Sequence, residues 1–122
     1  MGVTKELTSP GNGVDHPKVG DKITMEYTGH LYDAAAPNNK GKQFDSSVGR
    51  GDFNTTIGVG QVIAGWDEGI LKVDGGMTLG EKATLTITGD YAYGKRGFPD
   101  LIPPNSTLIF DVQLKGINDK MM

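Results

Sequence analysis

The side chains able to do chemistry in this sequence are few and scattered. There is no cysteine, so neither a thiolate nucleophile nor a cysteine metal centre can form. The two histidines, His16 and His30, have no second ligand at metal spacing. Ser46, Ser47 and Ser106 have no histidine at a recognisable triad spacing. The glycine-rich run "GVGQVIAG" (58–65) is close to a phosphate loop, but Ile63 stands where the third glycine of G-x-G-x-x-G belongs, and no Walker lysine follows. It reads as a turn before a helix. What remains is a set of rings: one tryptophan, four tyrosines and four phenylalanines. The tryptophan sits in "VIAGWDEGI" (62–70), between branched apolar residues and two acids. Rings with almost no titratable company favour a binding site, or a reaction that needs no nucleophile, acid or base.

The elements that must position these rings show in the alternation. "KITMEYTGHLY" puts Ile23, Met25 and Tyr27 on one side and Thr24, Glu26 and Thr28 on the other, a strand with one wet face. "KATLTIT" and "TLIFDVQLKGI" repeat the pattern, and "VTKEL" and "FNTTI" are shorter candidates. One-sided alternation in four or five runs predicts an antiparallel sheet with a single buried face. The window around Trp66 is the only helical one: Ile63, Trp66 and Ile70 share a face, with Asp67 and Glu68 in the first turn, where acids favour the helix dipole. The predicted class is α+β, a five- to six-stranded antiparallel sheet wrapped around one short helix, in a single domain over 1–122. Two segments read as loops. "DAAAPNNKGKQ" is polar and unpatterned. "GDYAYGKRGFPDLIPPNS" carries prolines, glycines and rings, so it is expected to rim a pocket.

The bulk properties bound the partners. A net charge of -3 over 122 residues argues against a nucleic-acid binder. The N-terminus has no apolar h-region and no apolar run is long enough to span a membrane, so a cytoplasmic monomer is expected, with no membrane partner, metal or cofactor. On that expectation Arg50-Gly51-Asp52 is a chance tripeptide. The glycosylation patterns at Asn54 and Asn105 are chance as well.

Four stretches, "GDKITMEYTGHL", "KQFDSSVGR", "IGVGQVIAGWDEGI" and "LGEKATLTITGDYAYGKRGFPDLIPPNSTLIFDVQLKGI", cover most of the chain from Gly20 onward. In that order they resemble the FKBP-type peptidyl-prolyl cis-trans isomerases. "VIAGWDEG" and "YAYG…IPPNSTLIFDV" are the specific motifs. The N-terminal "GVTKELTSPGNG" and the late "KGIN" resemble the small fungal single-domain members. The resemblance implies isomerisation of X-Pro bonds. It also implies a pocket formed by Tyr27, Phe44, Asp45, Phe53, Val62, Ile63, Trp66, Tyr93, Phe98, Ile102 and Phe110. Tyr27, Phe44, Asp45, Trp66, Tyr93 and Phe110 are the implied catalytic set, with Trp66 as the floor. The Ile63 N–H and the Tyr93 hydroxyl are the implied donors to ligand carbonyls. The implied partners are proline-containing peptides and proteins, the macrolides tacrolimus and rapamycin, and calcineurin for the drug-bound form.

The chain departs from the family pattern in places. Residues 33–43 and 72–78 are longer than usual, "GRGDFN" is about one residue short before Phe53, and Phe98 should alter the pocket rim. Asp45 reads as a structural acceptor for Tyr27 or Arg50 rather than a general base, since no proton must move. Two other readings stay open: a binding or adaptor module of the same fold with incidental turnover, and a plain structural β-protein. The second leaves the aromatic loop and the lone tryptophan without a role.

Overall fold

The computed structural model describes residues 2–122. The chain runs through β1 (Val3–Ser9), β2 (Lys22–Tyr32), β3 (Lys40–Ser46), β4 (Phe53–Thr56), α1 (Ala64–Leu71), β5 (Lys82–Ile87), β6 (Leu108–Ile117) and β7 (Lys120–Met121). The pairing is antiparallel throughout, in the order β1-β5-β6-β2-β3. β4 pairs with the first half of β2, from Lys22 opposite Thr56 to Met25 opposite Phe53, and β3 pairs with the second half. These two strands therefore share one row, broken by residues 47–52. β7 pairs with Gly116 and Ile117, past the point where the β5 ladder ends at Gln113, and extends the β5 row. Among the described residues seven strands fill five rows, in line with the expected sheet.

Register sets the faces. Ile23, Met25, Tyr27, Leu85, Ile87, Phe110, Val112 and Leu114 are buried on the inner face, while Thr24, Glu26, Thr84 and Asp111 point outward. The helix lies across the inner face and buries Trp66 and Ile70. At eight residues α1 is too short to hold in isolation, so packing must stabilise it. Its seat is made by two glycines one turn apart. A Cβ on Gly65 would lie 2.4 Å from Ile87 Cγ2, and one on Gly69 would lie 2.9 Å from Leu85 Cδ1. Any larger residue would lift the helix, and Trp66 with it. Asp67 does more than face the helix dipole: its carboxylate accepts the N–H groups of Gly58 (2.7 Å) and Gly60 (3.3 Å), fastening the preceding turn to the first helical turn.

The two long segments are more structured than their composition predicts. Residues 33–43 are not a loop throughout. A short turn occupies Pro37–Asn39, and β3 starts at Lys40. "KGKQ" hides this strand because it lies in the edge row and its register against β2 slips twice, between Gly29 and His30 and between His30 and Tyr32. Within 72–78, a turn at Val73–Gly75 leads into Met77, which is fully buried and donates its N–H to the Ile70 carbonyl at 2.8 Å. β1 carries an inward charge. The Lys5 ammonium pairs with Glu81 at 2.9 Å, both side chains are almost fully buried, and Glu81 also accepts the Thr78 N–H.

Candidate active site

The inner face leaves one aromatic cavity of about 460 Å³ beside α1. That is within the roughly 300–1,000 Å³ typical of small-ligand sites. β2 supplies Tyr27, β3 supplies Phe44 and Asp45, β4 supplies Phe53, and β6 supplies Phe110. The entry to α1 adds Gln61, Val62 and Ile63, the helix adds Trp66, and the loop after β5 adds Tyr93. The shortened spacing before Phe53 does not remove it from the site, because its pairing opposite Met25 turns the ring inward.

Trp66 is held by three edge-on rings. The indole meets Tyr27 at 5.1 Å, Phe110 at 5.4 Å and Phe53 at 5.8 Å between centroids, with interplanar angles of 77–87°. Phe44 stands edge-on to Phe110 at 5.5 Å. T-shaped pairs of this kind contribute about 0.5–1.5 kcal/mol each beyond their buried area. The cluster therefore fixes the walls without a ligand. Trp66 is 4% exposed, so it belongs to the core and the cavity at once. The close approach of Phe44 and Phe110 depends on Gly29. A Cβ there would lie 2.7 Å from Phe44 Cζ and 2.8 Å from Phe110 Cε1.

The single carboxylate of the cavity is tied at its rim. The Tyr27 hydroxyl donates to Asp45 Oδ2 at 2.7 Å, and Arg50 lies 3.1 Å from Asp45 Oδ1 and 3.2 Å from the Tyr27 oxygen. The Ser46 N–H also donates to Oδ1, at 2.9 Å. Asp45 thus accepts from Tyr27, Arg50 and the backbone. The phenols of Tyr27 and Tyr93 are both held above the ordinary tyrosine value of 10.0. Burial is the main cause in each, followed by the hydrogen bond to Asp45 for Tyr27 and by the nearby Asp45 charge for Tyr93. Both therefore remain proton donors at neutral pH. Among the described residues, the Ile63 N–H donates to no backbone carbonyl.

Two expected pocket residues are placed elsewhere. Phe98 and Ile102 do not line this cavity. They form a two-residue bridge to each other, with both N–H···O distances at 2.8 Å, and the bridge folds the loop into a small hairpin. Phe98 then stacks edge-on to Tyr93 at 6.0 Å, Ile102 is buried, and both line a neighbouring groove. Gln61 is the lining residue that sequence reasoning missed. Its side-chain oxygen accepts the Thr56 N–H at 3.3 Å, joining the end of β4 to the turn before α1. Its position directly before Val62 and Ile63 was the available signal. A larger depression of about 620 Å³ lies on the outer sheet face, lined by threonines, asparagines, charged residues and Ile109, without a single ring.

The model of the FKBP-type peptidyl-prolyl cis-trans isomerase family matches residues 13–115. The chain belongs to the FKBP-type peptidyl-prolyl cis-trans isomerases. It is 64% identical over 121 residues to a "Peptidyl-prolyl cis-trans isomerase" of Schizosaccharomyces pombe, covering 98% of each chain. It is 62% identical over 121 residues to "FK506-binding protein 1A" of Aspergillus fumigatus, again over 98% of each. Among solved structures, the crystal structure of AtFKBP13 matches with a TM-score of 0.81 at 39% identity, over 93% of this chain and 91% of that one. The chain is therefore an enzyme, a prolyl isomerase, with the fold that alternation and the lone helical window predicted.

Proposed function

We propose that the cavity over Trp66 is where this isomerase holds the X-Pro segment and lowers the barrier to its rotation. The supporting observation is a preformed aromatic enclosure whose one carboxylate is already occupied by Tyr27, Arg50 and a backbone N–H. Rotation about the amide crosses a barrier of about 18–20 kcal/mol because resonance is lost midway. The planar amide is the more polar form and water favours it. An apolar enclosure withdraws that preference and so narrows the gap to the twisted state. A 10⁶-fold acceleration takes about 8 kcal/mol, so desolvation must combine with hydrogen bonds made best to the twisted form. The free Ile63 N–H and the Tyr93 phenol are the donors assigned to substrate carbonyls. Trp66 supplies the flat surface under the pyrrolidine ring, and Tyr27, Phe44 and Phe110 supply walls. No proton is transferred, which suits a site without a general base.

The same enclosure is the proposed site for tacrolimus (FK506) and rapamycin, and the names of the fungal relatives support this reading. Isomerisation of a Leu-Pro tetrapeptide, measured with and without tacrolimus, tests both points. Saturable catalysis abolished by stoichiometric drug is expected. Catalysis indifferent to drug would place the macrolide elsewhere, and no catalysis would remove the cavity's assigned role. For the drug-bound form we propose docking on calcineurin through the rim that carries Lys95 and Arg96. Phosphatase activity unchanged by the complex would refute it.

A further inference from the structure

Beside the cavity, separated from it by the Tyr93–Phe98 ring pair, with Tyr93 facing the cavity and Phe98 the groove, lies a second groove of about 390 Å³. Its apolar surface comes from Leu31, Phe98, Leu101 and Pro103, and its charged lining includes Lys42 from β3 and Arg96 from the loop. Phe98 is 48% exposed, Leu101 41% and Tyr93 37%, a cluster of large apolar side chains left open to water. This surface is held in place before anything binds. The Phe98–Ile102 bridge closes the hairpin with two hydrogen bonds, Gly97 donates to the Tyr93 carbonyl, and Asn105 donates to that of Gly94. A partner therefore need not order the loop, which removes a common entropic cost of binding. Among the described residues neither Lys42 nor Arg96 is in an ion pair, although Lys40, two positions from Lys42, is paired with Asp111. Asp100, at the hairpin tip, is the groove's one carboxylate, so the lining is net cationic.

We infer that this groove is an extended substrate subsite that selects X-Pro segments flanked, on one side, by an apolar residue and adjacent acidic residues. The inference rests on the reading of the aromatic cavity as the catalytic site. Because only the Tyr93–Phe98 ring pair separates the groove from the cavity, a substrate chain leaving the cavity on that side runs onto the groove, and the unpaired cations set the charge it must carry. Lys42 and Arg96 act here as specificity residues for a reaction carried out next door, and the groove takes no part in the rotation itself.

The test compares Leu-Pro peptides of three kinds: the bare tetrapeptide, and versions extended at either end by Phe followed by two Asp or by two Asn. Turnover is measured, and binding is followed separately by calorimetry. One acidic extension should raise kcat/KM over its Asn counterpart by about 3- to 10-fold, the size expected of two exposed ion pairs. The gain should fall towards zero near 1 M salt, where the Debye length is about 3 Å. The double variant Lys42→Glu, Arg96→Glu should lose the gain and turn over the bare tetrapeptide as the wild type does. Leu101→Ser should weaken binding of both extended peptides at that end. Equal kcat/KM and affinity for Asp and Asn extensions at both ends would overturn the inference, as would a gain that survives in the double variant. Failure to turn over the bare tetrapeptide is a different result and would count against the catalytic reading of the cavity. Calorimetric discrimination between Asp and Asn extensions would still decide the groove.

Discussion

Gly29→Ala probes the aromatic wall with one added methyl group. Gly29 lies in β2, outside the positive-φ backbone that favours glycine, so alanine meets no backbone penalty. Its Cβ would sit 2.7 Å from Phe44 Cζ and 2.8 Å from Phe110 Cε1. Carbon atoms in good contact stand about 3.5–4.0 Å apart, so a ring must retreat by about 1 Å. Phe110 is 3% exposed and locked edge-on to Trp66 and Phe44, whereas Phe44 is only partly buried, so Phe44 gives way more readily, but the 2.8 Å approach forces Phe110 to shift as well. Overpacking costs about 1–3 kcal/mol, and the stiffer unfolded chain returns about 0.4–1, leaving a net loss of about 1–2 kcal/mol. In a domain of this size that lowers Tm by about 3–10 °C. The catalytic effect should be larger, since a wall displaced by 1 Å can cost about 10²-fold in rate. Thermal unfolding and tetrapeptide turnover on the same preparation measure both. Wild-type kcat/KM together with wild-type Tm would show that the Phe44–Phe110 contact is not the tight wall described.

Other perturbations separate the remaining roles. Asp45→Asn keeps one acceptor oxygen for Tyr27 and loses the exposed pair with Arg50 together with the Ser46 N–H bond to the other oxygen, so kcat/KM should fall by no more than about fivefold. The rate should be flat from about pH 6 to 8 in both proteins, and a carboxylate limb that vanishes in the variant would refute a geometric role. The raised phenols of Tyr27 and Tyr93 stay protonated up to and beyond 10.0, so the stability they contribute is complete below pH 10. It is lost as pH rises from 10.0 through their higher folded values, so in a pH series of unfolding curves an alkaline loss of stability should begin near pH 10 and be complete above those values. Lys5→Ala or Glu81→Ala strands a buried charge and should cost about 3–5 kcal/mol in denaturant unfolding, whereas Lys5→Met with Glu81→Leu, which removes both charges and leaves the Thr78 N–H without its acceptor, should cost only about 1–3 kcal/mol. Replacing residues 34–39 by a shorter turn that spares Lys40 should change stability by no more than about 1 kcal/mol and leave peptide turnover intact. Loss of turnover in a folded variant would show that the segment reaches the cavity.

Much of the fold was legible because the inner sheet face repeats with period two in β2, β5 and β6, and because only one window has helical spacing. The edge rows were less legible. β3 is polar, has slipped register and faces little core, so "KGKQ" has nothing to alternate against. Met77 lies in the stretch 72–78, which the sequence marked only as longer than usual, yet it is fully buried in the core and donates its N–H to the Ile70 carbonyl near the end of α1. The cavity followed the same division. Tyr27, Trp66 and Phe110 lie on regular elements whose periodicity fixes their direction. Phe98 and Ile102 lie on an irregular loop, and a two-residue bridge, invisible to periodicity, turned them towards a different groove.

The central claim is that X-Pro rotation takes place over Trp66. NMR exchange spectroscopy on a Leu-Pro peptide, recorded under catalysis with intermolecular contacts to the enzyme's aromatic protons, tests it most directly. The account predicts cis–trans exchange cross-peaks together with contacts from the pyrrolidine protons to the Trp66, Tyr27 and Phe110 rings, all lost when tacrolimus is added. Catalysed exchange with pyrrolidine contacts confined to the outer-face depression, or to the groove beside Phe98, would contradict it.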